Sequence, residues 1–511
     1  MNLRTPLVAL STAVLFAACS TDLAVAPMKA PTGAKLSVST GGGPGSYIVL
    51  VRGSSLSSFA QKVAALGGSV TYANEKFGFA TVSGISASAA TQLGAISGVT
   101  DVQADVAITL ESPASEVVAD ASLTGDPSIS SVTNPAGAIL FGRQWNMRLI
   151  SAPAAWAAGK LGSAEVRVAI LDTGIDYNSL DANGLVDGSR STSLMDSYIR
   201  NLQSADTLLD TTQVLARADN LIRATYFPSR AAYTDFNGHG TNVASQVSSI
   251  GFAFAGVTSR TTLMAVKVLG SNGSGSLGTV LGGVLYAADH GADVANMSLG
   301  GAFSKSGNGR ALGIINKVFN YAKQQGMLIV VSAGNSGIDI QHDGNLNVNY
   351  CDAPHVLCVS SVGLARATTN PDEPAFYTNY GKNAIGVAAP GGNATLDAAG
   401  HLVATPGWPW GVSQASWVYG MCAKNALAGF TATNIPVLLG CQSGGAFIGY
   451  IGTSQASPHV AGLAALLIAE YGKGNPMLIK KLIERSGDPM DPDLGGAFGD
   501  TRINVQRALG L

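Results

Sequence analysis

The stretch Gly452-Thr453-Ser454-Gln455-Ala456-Ser457-Pro458-His459-Val460-Ala461-Gly462 sets a serine between small residues and an apolar run, Val460 to Tyr471, that reads as a buried helix. Pro458 suits a first helical turn, where a missing N–H costs nothing. A serine at such a start is exposed, its own N–H is free, and the helix dipole favours negative charge there. Those are the needs of a nucleophile whose attack creates an oxyanion. Taken alone, the same residues describe an ordinary Ser-rich N-cap ahead of a core helix.

Two upstream motifs change the balance. Val166-Arg167-Val168-Ala169-Ile170-Leu171-Asp172-Thr173-Gly174 is an apolar strand ending in a carboxylate and a glycine turn, and Asn237-Gly238-His239-Gly240-Thr241 precedes a helical stretch of small residues. Asp-Thr-Gly occurs in many settings and His-Gly-Thr in fewer; the long serine motif is the specific one. Aspartate, histidine and serine, each at the end of a buried element and in that chain order, resemble the subtilisin-like serine peptidase family. The resemblance implies an α/β fold, a three-layer domain with a mostly parallel sheet. It also implies an Asp172–His239–Ser454 triad, with His239 as general base hydrogen-bonded to Ser454 and Asp172 fixing its tautomer.

The rest of the chain fits around these motifs. From Gln144 onward apolar strands alternate with helices, the pattern of a parallel sheet covered on both faces. The strand Met327 to Ser332 delivers Ala333-Gly334-Asn335-Ser336. Gly-Asn alone is a turn; beside the triad it resembles the family's oxyanion-hole asparagine, with Asn335 and the Ser454 N–H as donors. Segments matching Gly273-Ser274-Gly275 and Ser298-Leu299-Gly300 hold substrate between them in the family as an added strand, and Ala333 and Gly334 border the same cleft. Departures from the family pattern are Asn242 for a second histidine, Ser245 for a glycine, and Gln455 for the methionine after the nucleophile. His290, His342, His355, His401 and His459 lack the Gly-His-Gly-Thr context; His459 is expected to pack inside its helix.

Two longer-than-minimal stretches, Leu180 to Ala231 and Gly391 to Ile451, read as insertions near the cleft or as solvated loops. The second carries Trp408, Trp410 and Trp417, which serve either as pocket walls or as a satellite core.

Residues 46–110 read as a small α+β domain of ferredoxin-like βαββαβ order. Ahead of a subtilisin-like domain it resembles an inhibitory propeptide whose tail fills the active site until it is cut. Residues 111–143 read as a cleavable linker, unpatterned from Glu111 to Asn134, and 144–511 as the peptidase domain. Arg4 and the apolar run Pro6 to Ala18 form an export signal over residues 1–18, and residues 19–45 a flexible tether. Phe16-Ala17-Ala18-Cys19 resembles a bacterial lipobox, with Cys19 lipidated, although Phe16 stands where Leu is usual; an ordinary secretory signal is the alternative.

Five cysteines leave four once Cys19 is set aside. In an oxidising compartment local pairing, Cys351–Cys358 and Cys422–Cys441, is expected among three connectivities, with free buried thiols the alternative. With charged residues at only 12% and a net charge of −2, neither nucleic acid nor an anionic membrane is an expected partner. No run beyond the N-terminus is long and apolar enough to span a bilayer, so a membrane is met only through a lipid anchor.

The expected function is a self-processed, exported serine endopeptidase acting as a monomer on proteins or peptides, with its propeptide as inhibitor. Its chemistry requires no cofactor. Structural calcium is common in the family, but no ligand can be assigned. The alternatives are an idle binding scaffold on the same fold, or an esterase or amidase using the same triad.

Overall fold

The computed structural model describes residues 45–52, 56–110, 112–120, 123, 131–195, 219–342, 344–364, 370, 372–394, 417–430, 436–441, 446–494 and 496–511. The expected signal, the tether with Cys19, and Trp408 and Trp410 lie outside the described residues.

The small N-terminal unit runs β1 (Tyr47–Val51), α1 (Leu56–Ala65), β2 (Ser69–Asn74), β3 (Phe79–Ser83), α2 (Ala87–Gly94) and β4 (Val99–Ala104), in the expected βαββαβ order. Its antiparallel sheet has the order β2-β3-β1-β4. One sheet face closes over the two helices around Val49, Phe59, Val63, Val82 and Leu93. Ser86 caps α2 by accepting the Ala89 N–H.

Two short strands follow, β5 (Ala107–Thr109) and β6 (Ala114–Ala119). The second corrects the reading of Glu111 to Asn134 as unpatterned. Val117 packs towards Cys422, Cys441, Ile448 and Tyr450, and Val118 towards Phe447, Phe252 and Phe254. A strand covered on both faces shows no alternation of apolar and polar residues, and its partner strand is distant in sequence.

The large unit opens with α3 (Trp145–Leu149) and α4 (Ala152–Ala157). Then come β7 (Arg167–Asp172), β8 (Thr192–Ser193), α5 (Asp219–Tyr226), α6 (His239–Val247), β9 (Thr262–Lys267), β10 (Ser274–Ser276), α7 (Leu277–Asp289) and β11 (Val294–Met297). The chain continues through β12 (Ala302–Ser304), α8 (Gly309–Gln324), β13 (Leu328–Ser332), β14 (Leu346–Val348), β15 (Val356–Val362) and β16 (Val387–Pro390). It ends with β17 (Val418–Gly420), β18 (Leu427–Phe430), β19 (Pro436–Leu438), β20 (Ala446–Ile451), α9 (Thr453–Tyr471), α10 (Pro476–Ser486), β21 (Asp488–Pro489), β22 (Thr501–Arg502) and α11 (Val505–Ala508).

Among the described residues the central sheet has the order β21-β22-β16-β15-β13-β11-β7-β9-β8, parallel throughout except for β21 at one edge. Alternate residues of each strand feed two separate cores. Val168 and Ile170 face α6, α9 and α10, while Ala169 and Leu171 face α7 and α8. Three layers result, because a parallel strand buried on both sides needs helices on both sides. Leu463, Leu466 and Leu467 of α9 are wholly buried; truncating any one of them to Ala costs about 2–5 kcal/mol.

The small unit sits on α7 and α8. Phe77 stacks edge-on against Tyr321 at 5.3 Å, and Asn74 Nδ2 donates to Asp289 at 2.6 Å. Asp105, at the end of the small unit, accepts the Gly278 N–H at 2.8 Å and so caps α7 of the large one. Burial pushes the Asp105 carboxyl up to about 6.

Candidate active site

The carboxyl ends of parallel strands are where an open α/β sheet presents its functional groups. Asp172 is the last residue of β7; Ser298 follows β11, and Asn335 follows β13 by three residues. His239 opens α6 and Ser454 is the second residue of α9. Asp172 and His239 are fully buried, and Ser454 is 3% exposed.

His239 Nδ1 donates to Asp172 at 2.9 and 3.1 Å. Its other ring nitrogen, Nε2, is buried and has no hydrogen-bond partner among the described residues. Gly240 must be glycine here: a Cβ would stand 2.2 Å from the Gly174 carbonyl and 3.1 Å from Asp172. The ring of Tyr450, four residues before Ser454, meets His239 edge-on at 5.6 Å. Gln455, the residue after Ser454, lies with its Nε2 3.5 Å from Asn242 Oδ1 on α6.

Sequence reading missed the carboxylate that organises this half. Asp235 accepts the N–H groups of Asn237 and Gly238 through Oδ1, and the N–H and hydroxyl of Thr241 through Oδ2, at 2.6–2.9 Å. Gly238 stands at the α6 N-cap without a side chain, so Asp235 does the capping. The Thr173 hydroxyl donates to Asp235 and accepts the Gly240 N–H, both at 2.9 Å, which joins the Asp172 turn to the His239 helix. Buried Lys267 adds a bond to the Thr173 carbonyl and an ion pair to Asp219 at 2.8 Å, tying in the insertion. The signal available in sequence was an aspartate four residues ahead of the histidine.

On the other side, Asn335 Oδ1 accepts both the N–H and the hydroxyl of Thr453, at 2.8 and 2.9 Å. Those two bonds fix the amide so that Nδ2 is the end presented as a donor. Gly334 has φ +98°, and a Cβ there would meet Asn379 at 2.5 Å; its N–H donates to the Thr453 hydroxyl at 3.1 Å. The Ser454 N–H belongs to the first turn of α9, where no intrahelical acceptor exists.

Two expectations need correction. The Ser454 hydroxyl bonds to the Ser298 carbonyl at 3.2 Å, not to His239; a serine rotor takes whichever acceptor is nearest. Pro458 lies inside α9, in its second turn, not its first. Its missing N–H would orphan the Ser454 carbonyl, and the Ser298 hydroxyl supplies the substitute donor at 2.7 Å.

Gly273, Ser274 and Gly275 do carry an added strand: β5 pairs antiparallel with β10, Ile108 opposite Gly275 and Thr109 opposite Ser274, and the Leu110 N–H donates to the Gly273 carbonyl at 2.8 Å. Ser298, Leu299 and Gly300 form no ladder with it among the described residues. Ser298 turns under α9, Leu299 shares a buried apolar cluster with Ile108, and Gly300 closes on Asn349. Ala333 is held from behind, donating to the Val359 carbonyl and accepting from Asn379 Nδ2, both at 2.9 Å.

A profile of the subtilase family matches residues 163–502. The chain belongs to the subtilase family. Thermitase of Thermoactinomyces vulgaris is 27% identical over 371 residues, covering 72% of this chain and 96% of the relative. Alkaline elastase YaB of a Bacillus strain is 28% identical over 372 residues, covering 71% and 69%. Among solved structures, the epidermin leader peptide processing serine protease of Staphylococcus aureus superposes with a TM-score of 0.61 at 20% identity, covering 91% of this chain and 97% of that one. Fervidolysin from Fervidobacterium pennivorans gives 0.58 at 20% identity, covering 95% and 65%. The fold is subtilisin-like, and this subtilase is a serine endopeptidase whose substrates are proteins or peptides.

Both expected cysteine pairs are disulfides, with Cα separations of 5.3 Å for Cys351–Cys358 and 5.7 Å for Cys422–Cys441. Trp417 is buried against Ala375, Tyr377 and Ile451, as a satellite core requires. His459 is buried within α9, donating from Nδ1 to the Gln455 carbonyl at 2.7 Å, with Asn146 Nδ2 2.8 Å from Nε2. Burial pushes its pKa down to about 4. Among the described residues no group of three or more His, Cys, Asp or Glu side chains gathers to hold a metal, so calcium is given no ligand set.

Proposed function

We propose that this subtilase cleaves peptide bonds with Ser454 as nucleophile, His239 as general base, Asp172 as its partner, and Asn335 with the Ser454 N–H as oxyanion donors. The observation that carries the reading is the geometry of His239: Nδ1 is committed to Asp172, and Nε2 is buried beside the strand that leads into Ser454 with no partner among the described residues. Rotation of the Ser454 side chain off the Ser298 carbonyl offers its proton to that nitrogen. Attack on the substrate carbonyl moves the proton to Nε2 and places negative charge at Asn335 Nδ2 and the start of α9. Imidazolium then returns the proton to the leaving amine, and water, deprotonated the same way, hydrolyses the acyl-enzyme. Nucleophile, base and oxyanion donors all come from the chain, so the reaction as written calls for no cofactor.

The protein is made as an exported precursor that processes itself. Residues 46–110 act as its intramolecular inhibitor, residues 1–18 direct export, and Cys19 carries a lipid in the anchored form. What supports inhibition is the pairing of Ala107–Leu110 on Gly273–Ser276, the position of a bound peptide. The mature form works as a monomer.

The test is the intact mass of the precursor lacking residues 1–19, wild type beside Ser454→Ala. Wild type is expected to lose about the first hundred residues while the variant stays whole. Identical cutting of both would remove self-processing, and hydrolysis of simple esters without casein would move the reading to an esterase.

A further inference from the structure

The two strands that flank the site differ in how they are held. β5 lies on β10 over three residues and is continuous with the small unit. Beyond it, β6 lies antiparallel on β20 over six residues, from Ala114 opposite Ile451 to Ala119 opposite Ala446. β20 runs directly into Gly452, Thr453 and Ser454. Pro113, which leads into β6, lies beside the start of α9: its Cδ stands 3.4 Å from the point a Cβ on Gly452 would take. That same point is 3.7 Å from Asn335 Nδ2.

β6 is anchored in the catalytic body, not in the small unit. Ala114 is buried with Tyr377, Trp417 and Ile451, and Val117 packs against the cluster of Cys422, Cys441, Ile448 and Tyr450. Val118 and Leu123 join Phe252, Phe254 and Phe447. Asp120 pairs with Arg143 at 2.7 Å. Removing β6 would bare the β20 edge and the apolar groups beneath it.

We propose that the precursor is cut at one of the two bonds of Leu110-Glu111-Ser112, and that the new N-terminal segment stays on β20, covering the side of the cleft that receives residues beyond the scissile bond. The cut breaks one amide C–N bond; water supplies hydroxyl to the new carboxyl end and a proton to the new amine. This rests on the self-processing reading above. The mature enzyme then takes peptides chiefly by the residues ahead of the scissile bond and discriminates against those with long continuations past it. Its ligand on the β20 edge is its own residues 114–119.

Three readouts on the matured full-length product test this. The mature chain is expected to begin at Glu111 or Ser112 by intact mass. Amides of Ala114–Ala119 are expected to resist hydrogen exchange in the mature wild type; fast exchange there, or a mature start beyond Ala119, overturns the proposal. In Ser115→Pro and Val118→Asp, kcat/KM for a quenched peptide with six residues past the cut is expected to rise at least about tenfold. Hydrolysis of a peptide p-nitroanilide, which has nothing past the cut but the dye, stays within about twofold and reports correct folding. An unchanged ratio of the two activities overturns the proposal, and if neither variant folds the exchange result on wild type decides. A wild-type chain that stays whole removes both readings; one cut at Leu110–Ser112 whose strand exchanges freely removes this one alone.

Discussion

The proposed acid–base half of the site and the proposed oxyanion half are built by opposite means. Around Asp172 and His239 a second buried carboxylate, Asp235, gathers four donors from one loop and a fifth from Thr173, so the imidazole is fixed by a closed network. Around Asn335 and Ser454 one threonine and a helix start suffice: Thr453 holds the amide, and α9 supplies the open N–H. The Ser454 hydroxyl belongs to neither half, resting on the Ser298 carbonyl. The lesson is that a base must be oriented about two bonds and kept in one tautomer, whereas an oxyanion donor only needs to be aimed.

Substitutions that remove the chemistry itself should not distinguish the halves. Ser454→Ala or His239→Ala is expected to lower kcat by about 10⁶, the scale that the same removals have in subtilisin. Asp172→Asn, measured on the same peptide anilide, is expected to lose about 10⁴, because Nδ1 loses its acceptor and the wrong tautomer is favoured.

The halves part at the next level. Asn335→Ala should cost roughly 10²–10³ in kcat with KM nearly unchanged, since the amide acts on charge that appears only in the transition state. Below that, Thr453→Val and Thr173→Val each remove one brace, and each is expected to cost on the order of tenfold. The Thr173 loss, acting through the base, should shrink when combined with Asp172→Asn, whereas the Thr453 loss should add to it in full. Equal behaviour of both in that combination would erase the distinction drawn between the halves.

A separate effect concerns stability. His459 sits in the oxyanion helix with both ring nitrogens engaged as neutral imidazole, and its pKa falls from 6.5 to about 4. The unfolded chain therefore binds a proton that the fold refuses between those values. Stability is full above pH 6.5 and is lost as pH drops towards 4, by up to about 3 kcal/mol from this group. Urea midpoints at pH 7 and 4.5 carry that loss against the opposite contribution of buried carboxyls such as Asp105, whose raised pKa favours the fold as pH drops, so it is read by comparing Ser454→Ala with and without a second substitution. It should shrink in Ser454→Ala carrying His459→Gln.

Much of this arrangement was legible in sequence because its determinants are local. The strand ending in Asp172, the glycines around His239 and the small residues before Ser454 each announce a close approach that a one-dimensional pattern records. The βαββαβ unit is legible for the same reason, its first helix being stopped by Gly67 and Gly68. What stayed hidden depends on partners far along the chain. β6 shows no alternation because Val117 and Val118 are both covered. Pro458 is tolerated in the second turn of α9 only because Ser298, from a different strand, serves the Ser454 carbonyl. Asp235 reads as a loop aspartate until Thr173 and Thr241 are brought to it.

The most direct measurement is reaction of the mature enzyme with a fluorophosphonate, followed by intact mass and peptide mapping. A single adduct on Ser454, formed in wild type and absent in His239→Ala that has been cut in trans by wild type, is the predicted result. No adduct, or an adduct on another serine that persists without His239, would contradict the assignment of nucleophile and base.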